Sequence, residues 1–216
     1  STYVTEELQT NNTLMSIFID DFICPVTNAS RLYCSVAHID LSTGKNSVNE
    51  FFDDQEHPFQ VKQELIKLLY CIDPSEILLI HQYVDQHINP QSNKSKELLD
   101  SIIKEYDDKL IHNLSKDSKY SDTVYQEAFI NKIFHCKNGL EKIGLNHSGD
   151  LVQCYIQLLQ FAYEHDPHIV DKISLPLQNH QDGYLYLNHD AMCELNLLNK
   201  NKDTGFASID RKSTRL

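Results

Sequence analysis

The chain has 216 residues, 41% of them hydrophobic, enough to bury one or two cores. Nineteen Lys and Arg stand against 31 Asp and Glu, a formal charge of −12, so the cations that drive affinity for a phosphate backbone are scarce and direct DNA binding by this segment is disfavoured. Apolar runs such as Ile77–Ile80 fall far short of the roughly 20 residues of a membrane span, and no basic-then-apolar leader opens the sequence. The expectation is a protein without a membrane partner, in an intracellular, reducing compartment where its six scattered cysteines remain thiols.

In chain order, Leu14–Ile19 reads as a short buried strand ending at Asp20-Asp21, and Leu32–Leu41 as a second strand. Ser42-Thr43-Gly44-Lys45-Asn46 supplies a tight reversal, with Asp40 initiating the turn, and Ser47–Phe52 completes a hairpin. After Pro58 the apolar spacing becomes helical to about Cys71; Asp73-Pro74 ends that helix, and Ser75–Ile80, with the continuous apolar run Ile77–Ile80, is of the kind buried on both faces of a parallel sheet. A polar loop over 82–96 precedes a helix carrying Leu98, Leu99, Ile102 and Ile103, then a strand over 109–114. Ser121 is the expected N-cap of a helix through Phe134 that turns Val124, Ala128, Phe129 and Ile133 inward, and 137–147 is a connector. Ser148 caps a long amphipathic helix ending near His165-Asp166-Pro167. Short extended pieces at 173–177 and 184–187, a helix over 191–198, a polar loop at 199–204 and the first capping residues of another helix at 210–216 follow. A helix that has only begun cannot bury its face, so the chain reads as a fragment. A domain boundary is expected near 146.

Three hairpin-connected strands followed by helix, strand, helix, strand is the order of a ribonuclease H-like fold. The predicted fold class is therefore α/β: a ribonuclease H-like mixed sheet with flanking helices, followed by a mostly helical segment of a truncated second domain. Nucleases of that fold gather carboxylates around two metal ions, so Asp20 or Asp21, Glu64 and Asp85 form the candidate catalytic set, set against the ordinary solvation of acidic side chains at strand ends. Gly139-x-x-x-x-Gly144 lacks the Lys and hydroxyl residue of a phosphate-binding loop. His135-Cys136 and His165/His168 have no second pair at metal-ligand spacing, and His147-Ser148-Gly149-Asp150 is too local to form a hydrolytic triad. The eleven Tyr and nine Phe fall mainly on apolar faces and read as core.

Several segments in order resemble the MutS family of DNA mismatch-repair ATPases. Tyr33–Gly44, with Asp40-Leu41-Ser42-Thr43-Gly44 at its end, then Glu50-Phe51 and Pro74-Ser75-Glu76-Ile77-Leu78-Leu79, look like the MutS connector domain. Leu151–Tyr163 is similar to the helix that begins the lever domain. The run from Tyr184 to Leu197, with Asp190, Ala191 and Asn196, and the run Asp210–Thr214, with Ser213 and Thr214, resemble later lever signatures, although Asn188 and Lys212 depart from them. The Phe161–His165 wording is most similar to the branch found in large DNA viruses and soft-coral mitochondria. The resemblance implies a connector-like domain over 1–146 and the start of a lever over 147–216. It implies no catalytic residue, metal or cofactor in this segment, and a role in coupling the mismatch-binding, lever and ATPase domains. The longer protein would be dimeric, hold ATP and Mg, contact DNA, and dock a MutL-type partner at residues the sequence does not identify. Two readings stand beside it: a metal-dependent nuclease using Asp20, Glu64 and Asp85, and a generic protein-interaction domain.

Overall fold

The structure, a computed structural model, describes residues 12–24, 27–81, 94–106, 108–115, 118–145 and 148–178. The chain divides into two compact units, Ser1–His180 and Gln181–Leu216, and every described residue lies in the first. The strand and helix expected at 184–198, Asp85, and Asp190, Ala191, Asn196, Ser213 and Thr214 fall outside the described residues.

Six strands form one sheet in the order β5-β4-β1-β2-β3-β6. They are β1 (Thr13–Ile23), β2 (Ser30–Asp40), β3 (Asn46–Phe52), β4 (Glu76–His81), β5 (Leu110–Ser115) and β6 (Leu177–Gln178). The β1–β2 and β2–β3 pairs are antiparallel, whereas β1–β4, β4–β5 and β3–β6 are parallel. Strands β1 to β5 thus take the mixed ribonuclease H-like order read from the sequence. Strand β1 runs past the expected end at Ile19 because β2 keeps pairing with it to Ile23↔Ser30. Asp20 and Asp21 therefore lie within the strand.

Alternation along the central strands divides the interior in two, since successive side chains of a strand point to opposite faces. Met15, Ile17, Ile19, Cys34, Val36, Ile77 and Leu79 pack beneath α1 (Gln60–Ile72) and α2 (Lys94–Glu105). Leu14, Phe18, Tyr33, Ala37, Ile39, Leu78 and Ile80 pack beneath α5 (Gly149–His165). Helix α3 (Thr123–Ile133) packs on α5, and α4 (Gly139–Lys142) packs on α3. Helix α1 has no cap from Phe59 at its N-cap position; Asp53, eight residues before Val61, accepts from the Val61 N–H at 3.0 Å. Burial pushes the Asp53 carboxyl above its ordinary range, against the lowering effect of that bond. At the other end Asp73 takes the left-handed conformation, φ 48°, and Pro74 follows.

Helix α5 lies at the centre of the compact unit. Its residues from Leu151 to Leu159 are all buried, as is Ala162, because the sheet lies on one side and α3 on the other, the situation of a helix enclosed on most of its surface. Ser16 on β1 donates to the Cys154 carbonyl at 3.0 Å. The compact unit consequently continues past 146 to His180, and the change of character seen at Ser148 marks a central core helix of that unit. Helix α3 also differs in detail. Its N-cap is Asp122, which accepts from Val124 N–H at 2.9 Å, while Ser121 ends a preceding 3-10 turn and donates to Gln153 Oε1. The inward residues are Gln126, Ile130 and Ile133; Val124 is 77% exposed.

Cys34 and Cys154 are buried free thiols, and burial pushes the Cys154 thiol up to about 11. Among the described residues no helix is long and apolar enough to cross a membrane.

Candidate functional site

Two places gather the residues that the sequence singles out. The first is a cleft of about 290 Å³ lined by Asp20, Phe22, Tyr33, Glu50, Phe52, Ser148, Gly149 and Asp150. Asp20 and Phe22 come from one face of β1, Tyr33 and Phe52 are opposite one another in the β2–β3 register, and the last three residues open α5. The Tyr33 hydroxyl donates to Glu50 Oε1 at 2.7 Å, and the Ser148 hydroxyl donates to the same oxygen. Ser148 holds the N-cap position without capping its own helix; its hydroxyl instead ties the helix start to β3. A carboxylate at a helix N-terminus is favoured by the exposed amides and the helix dipole. Burial, with Glu50 beside it, holds the Tyr33 phenol well above its ordinary range, so it remains a neutral donor. Phe52 closes the cleft against Tyr33, ring centroids 4.9 Å apart, and against Phe22 at 6.4 Å. The arrangement fastens the start of α5 to the sheet.

Of the candidate nuclease carboxylates, Asp85 lies outside the described residues, and Asp20 and Glu64 lie on opposite faces of the sheet. Asp20 faces this cleft on the α5 side, whereas Asp21, one residue on, points to the opposite face and accepts from the backbone and hydroxyl of Ser95 on α2. Glu64 sits on α1, on that same opposite face, paired with Lys67 at 3.2 Å. The sheet separates Asp20 from Glu64, as strand alternation requires. Among the described residues no group of three or more His, Cys, Asp or Glu side chains could hold a metal ion.

The second place is the Asp40–Gly44 turn. Asp40 Oδ1 accepts from the Ser42 N–H at 2.8 Å and Oδ2 from the Thr43 hydroxyl at 2.7 Å, while the Gly44 N–H closes the turn on the Asp40 carbonyl. Partial burial raises the Asp40 carboxyl, but the bonds from Thr43 and Ser42 outweigh it and hold the group below its ordinary value. Gly44 has φ +71°, and a Cβ there would overlap the Lys172 carbonyl; glycine meets both demands. Chain returning from α5 crosses the turn at this point. The Ser174 N–H donates to the Gly44 carbonyl at 3.1 Å, and β6 then pairs with Ser47 and Val48 of β3. Asn46, 2% exposed, donates through Nδ2 to Ser174 O at 2.7 Å and Gly44 O at 3.1 Å, and accepts at Oδ1 from the Tyr155 hydroxyl at 2.7 Å. The residues of the turn therefore hold the segment 172–178, which leads toward the second unit.

Pro74 is buried before β4, and Glu76 opposite Leu110 of β5 pairs with His112 Nε2 at 2.8 Å. The His112 ring lies 4.8 Å from that of Phe161 on α5. Glu76 thus ties β4, β5 and α5 together. Sequence reasoning placed Asp40 and Gly44 in their turn but missed Asn46, Tyr155 and the Glu50 lock. Asn46 carries only the signal of one more turn residue.

No family model matches the chain. It is similar to a protein of Acanthamoeba polyphaga mimivirus described as a DNA mismatch repair protein MutS homolog, 21% identical over 222 residues, which cover 93% of this chain and 19% of that protein. The chain thus spans about a fifth of that relative's length. Among solved structures it superposes on Thermus thermophilus RuvC in complex with a Holliday junction substrate, with a TM-score of 0.36 and 9% identity over 70% of this chain and 95% of that one. A simian T-cell lymphotropic virus intasome in complex with the PP2A regulatory subunit B56 gamma gives a TM-score of 0.25 and 14% identity over 82% and 60%. These two superpositions carry no functional weight, and the fold class rests on the sheet order itself. Over most of its length, then, this chain is similar to part of a MutS homolog assigned to DNA mismatch repair.

Proposed function

We propose that this chain is a non-catalytic coupling module of a MutS-like mismatch-repair protein, joining a mismatch-binding part to lever and ATPase parts. The single observation that carries the reading is the grip of the Asp40–Gly44 turn and Asn46 on the segment leaving α5. The turn that carries the connector-like wording is the one that holds the outgoing chain. A coupling domain works through such contacts between elements with more than one arrangement, and an acidic surface suits contacts with protein better than with DNA. Similarity along 93% of the chain to the mimivirus MutS homolog supports the same reading. In this proposal ATP, Mg and DNA are bound by other parts of the longer, dimeric, intracellular protein, and a MutL-type protein docks on this module.

The reading frame on both sides of Ser1 and Leu216 tests the proposal first. A Gly-x-x-x-x-Gly-Lys-Ser/Thr loop downstream and a mismatch-reading domain upstream are expected, and a frame holding neither refutes it. In the longer protein, mismatched DNA should change the ATPase rate relative to matched DNA, and Asn46→Asp should weaken that response while leaving the rate without DNA unchanged. An undiminished response in the variant overturns the coupling role. Capture of the cognate MutL-type protein by residues 1–180 tests the docking part separately.

A further inference from the structure

We infer that Asn46 is a latch that makes release of the strap 172–178 and displacement of α5 a single event. One planar amide carries all three contacts. Its oxygen accepts from Tyr155 on α5, and its nitrogen donates to Ser174 of the strap and to Gly44 of the turn. An amide has one acceptor and two donors to give in this setting, and here each faces a partner of the opposite kind. Rotating the group by half a turn would set its oxygen against two carbonyl oxygens, so a single orientation satisfies it. All of this takes place at a side chain 2% exposed, beside a tyrosine with no measurable exposure, where an unmade hydrogen bond is costly.

Among the described residues the strap has little else to hold it. Leu175 and Leu177 are 48% and 52% exposed, and β6 contributes only two residues to the sheet. Ile173 packs against the core, Ser174 donates to Gly44, and the Gln178 side chain donates to the Ile143 carbonyl at 2.6 Å. Its attachment is chiefly polar, and the buried polar contact is the one that α5 shares. A shift of α5 that withdraws the Tyr155 hydroxyl leaves Asn46 Oδ1 without its donor and loosens the amide that holds Ser174. A strap that lifts removes Ser174 from the same amide and loosens the seat of Tyr155. The latch is a property of this unit's own packing and does not rest on the mismatch-repair reading.

Hydrogen exchange read by mass spectrometry on the full chain tests it, with Tyr155→Phe as the first variant, since the hydroxyl removed bonds Asn46 rather than the strap itself. Peptides over 172–178 should exchange about tenfold faster than in the parent chain, while peptides in α1 and β4 stay within about twofold. Loosening confined to α5, or an equal increase in every peptide, overturns the latch. Asn46→Asp gives an independent reading if Tyr155→Phe folds poorly. It keeps the acceptor for Tyr155 but sets a carboxylate oxygen against Gly44 O and Ser174 O, so the strap should lose protection while α1 and β4 keep theirs. A strap still protected in that variant overturns the inference.

Discussion

Gly44→Ala tests the turn and the strap together. Two costs follow from the geometry. With φ at +71°, a residue bearing a Cβ loses about 1–2 kcal/mol in the left-handed region. The new methyl would also lie 2.5 Å from the Lys172 carbonyl carbon and 3.0 Å from the Ile173 nitrogen, with the carbonyl oxygen nearer still; these are backbone atoms, so no flexible side chain can yield. Overpacking of this kind costs about 1–3 kcal/mol, and the two together come to about 2–5 kcal/mol. For a unit of this size, each kcal/mol lowers Tm by about 2–4 °C. Urea unfolding and thermal melts followed by circular dichroism measure the loss. Gly149→Ala is the internal control: no atom lies within 4 Å of its Cβ position, at the first turn of α5, so it should be neutral or stabilising by up to about 1 kcal/mol. A Gly44→Ala protein within about 0.5 kcal/mol of the parent would refute the close approach of the strap.

The Glu50 lock predicts a measurable coupling: in a double-mutant cycle, Tyr33→Phe and Glu50→Gln should be non-additive by at least about 0.5 kcal/mol in urea unfolding, and additive values would disprove the bond's contribution. Asp40 predicts a pH effect with a definite sign. Its carboxyl lies below the ordinary value in the folded protein, so its contribution is fully present above about pH 4 and is lost as pH falls through the depressed value. The stability gap between the parent and Asp40→Asn should therefore narrow below about pH 4, and a gap that widens there would contradict the turn's hydrogen bonds. Finally, Asp20 and Glu64 on opposite faces of the sheet cannot share one metal pair. Asp20→Ala and Glu64→Ala should leave any Mg²⁺-dependent plasmid nicking by the preparation unchanged, and abolition of nicking by both would overturn their placement.

What the sequence made legible was local. Alternation and apolar runs located β1 to β5, and the Asp40–Gly44 turn was readable because its hydrogen bonds join residues at most a few positions apart. The long-range contacts were not readable. Tyr155 lies 109 positions from Asn46 and Ser174 lies 128 positions away, and nothing in the pattern around Asn46 separates a buried hub from a solvated turn residue. That the compact unit runs past 146 to His180 was hidden for a related reason. Gln153 and Gln157 are polar residues of a helix expected to be amphipathic, yet at 3% and 4% exposure both are buried. The carboxylate set shows the same limit: extending β1 by pairing with β2 puts Asp20 and Asp21 on opposite faces and Asp20 across the sheet from Glu64, where a strand end would have left their directions open.

The short β6 strand also bears on solubility. Strand β3 is the last long strand on its side of the sheet, and a bare strand edge is a template for pairing with another copy of the same chain. Residues 177–178 occupy that edge at Ser47 and Val48, too briefly to add much to the sheet's stability yet placed where a foreign strand would begin to zip. Whatever lifts the strap frees the outward edge of β3 at Ser47 and Val48, the place where a second strand could pair.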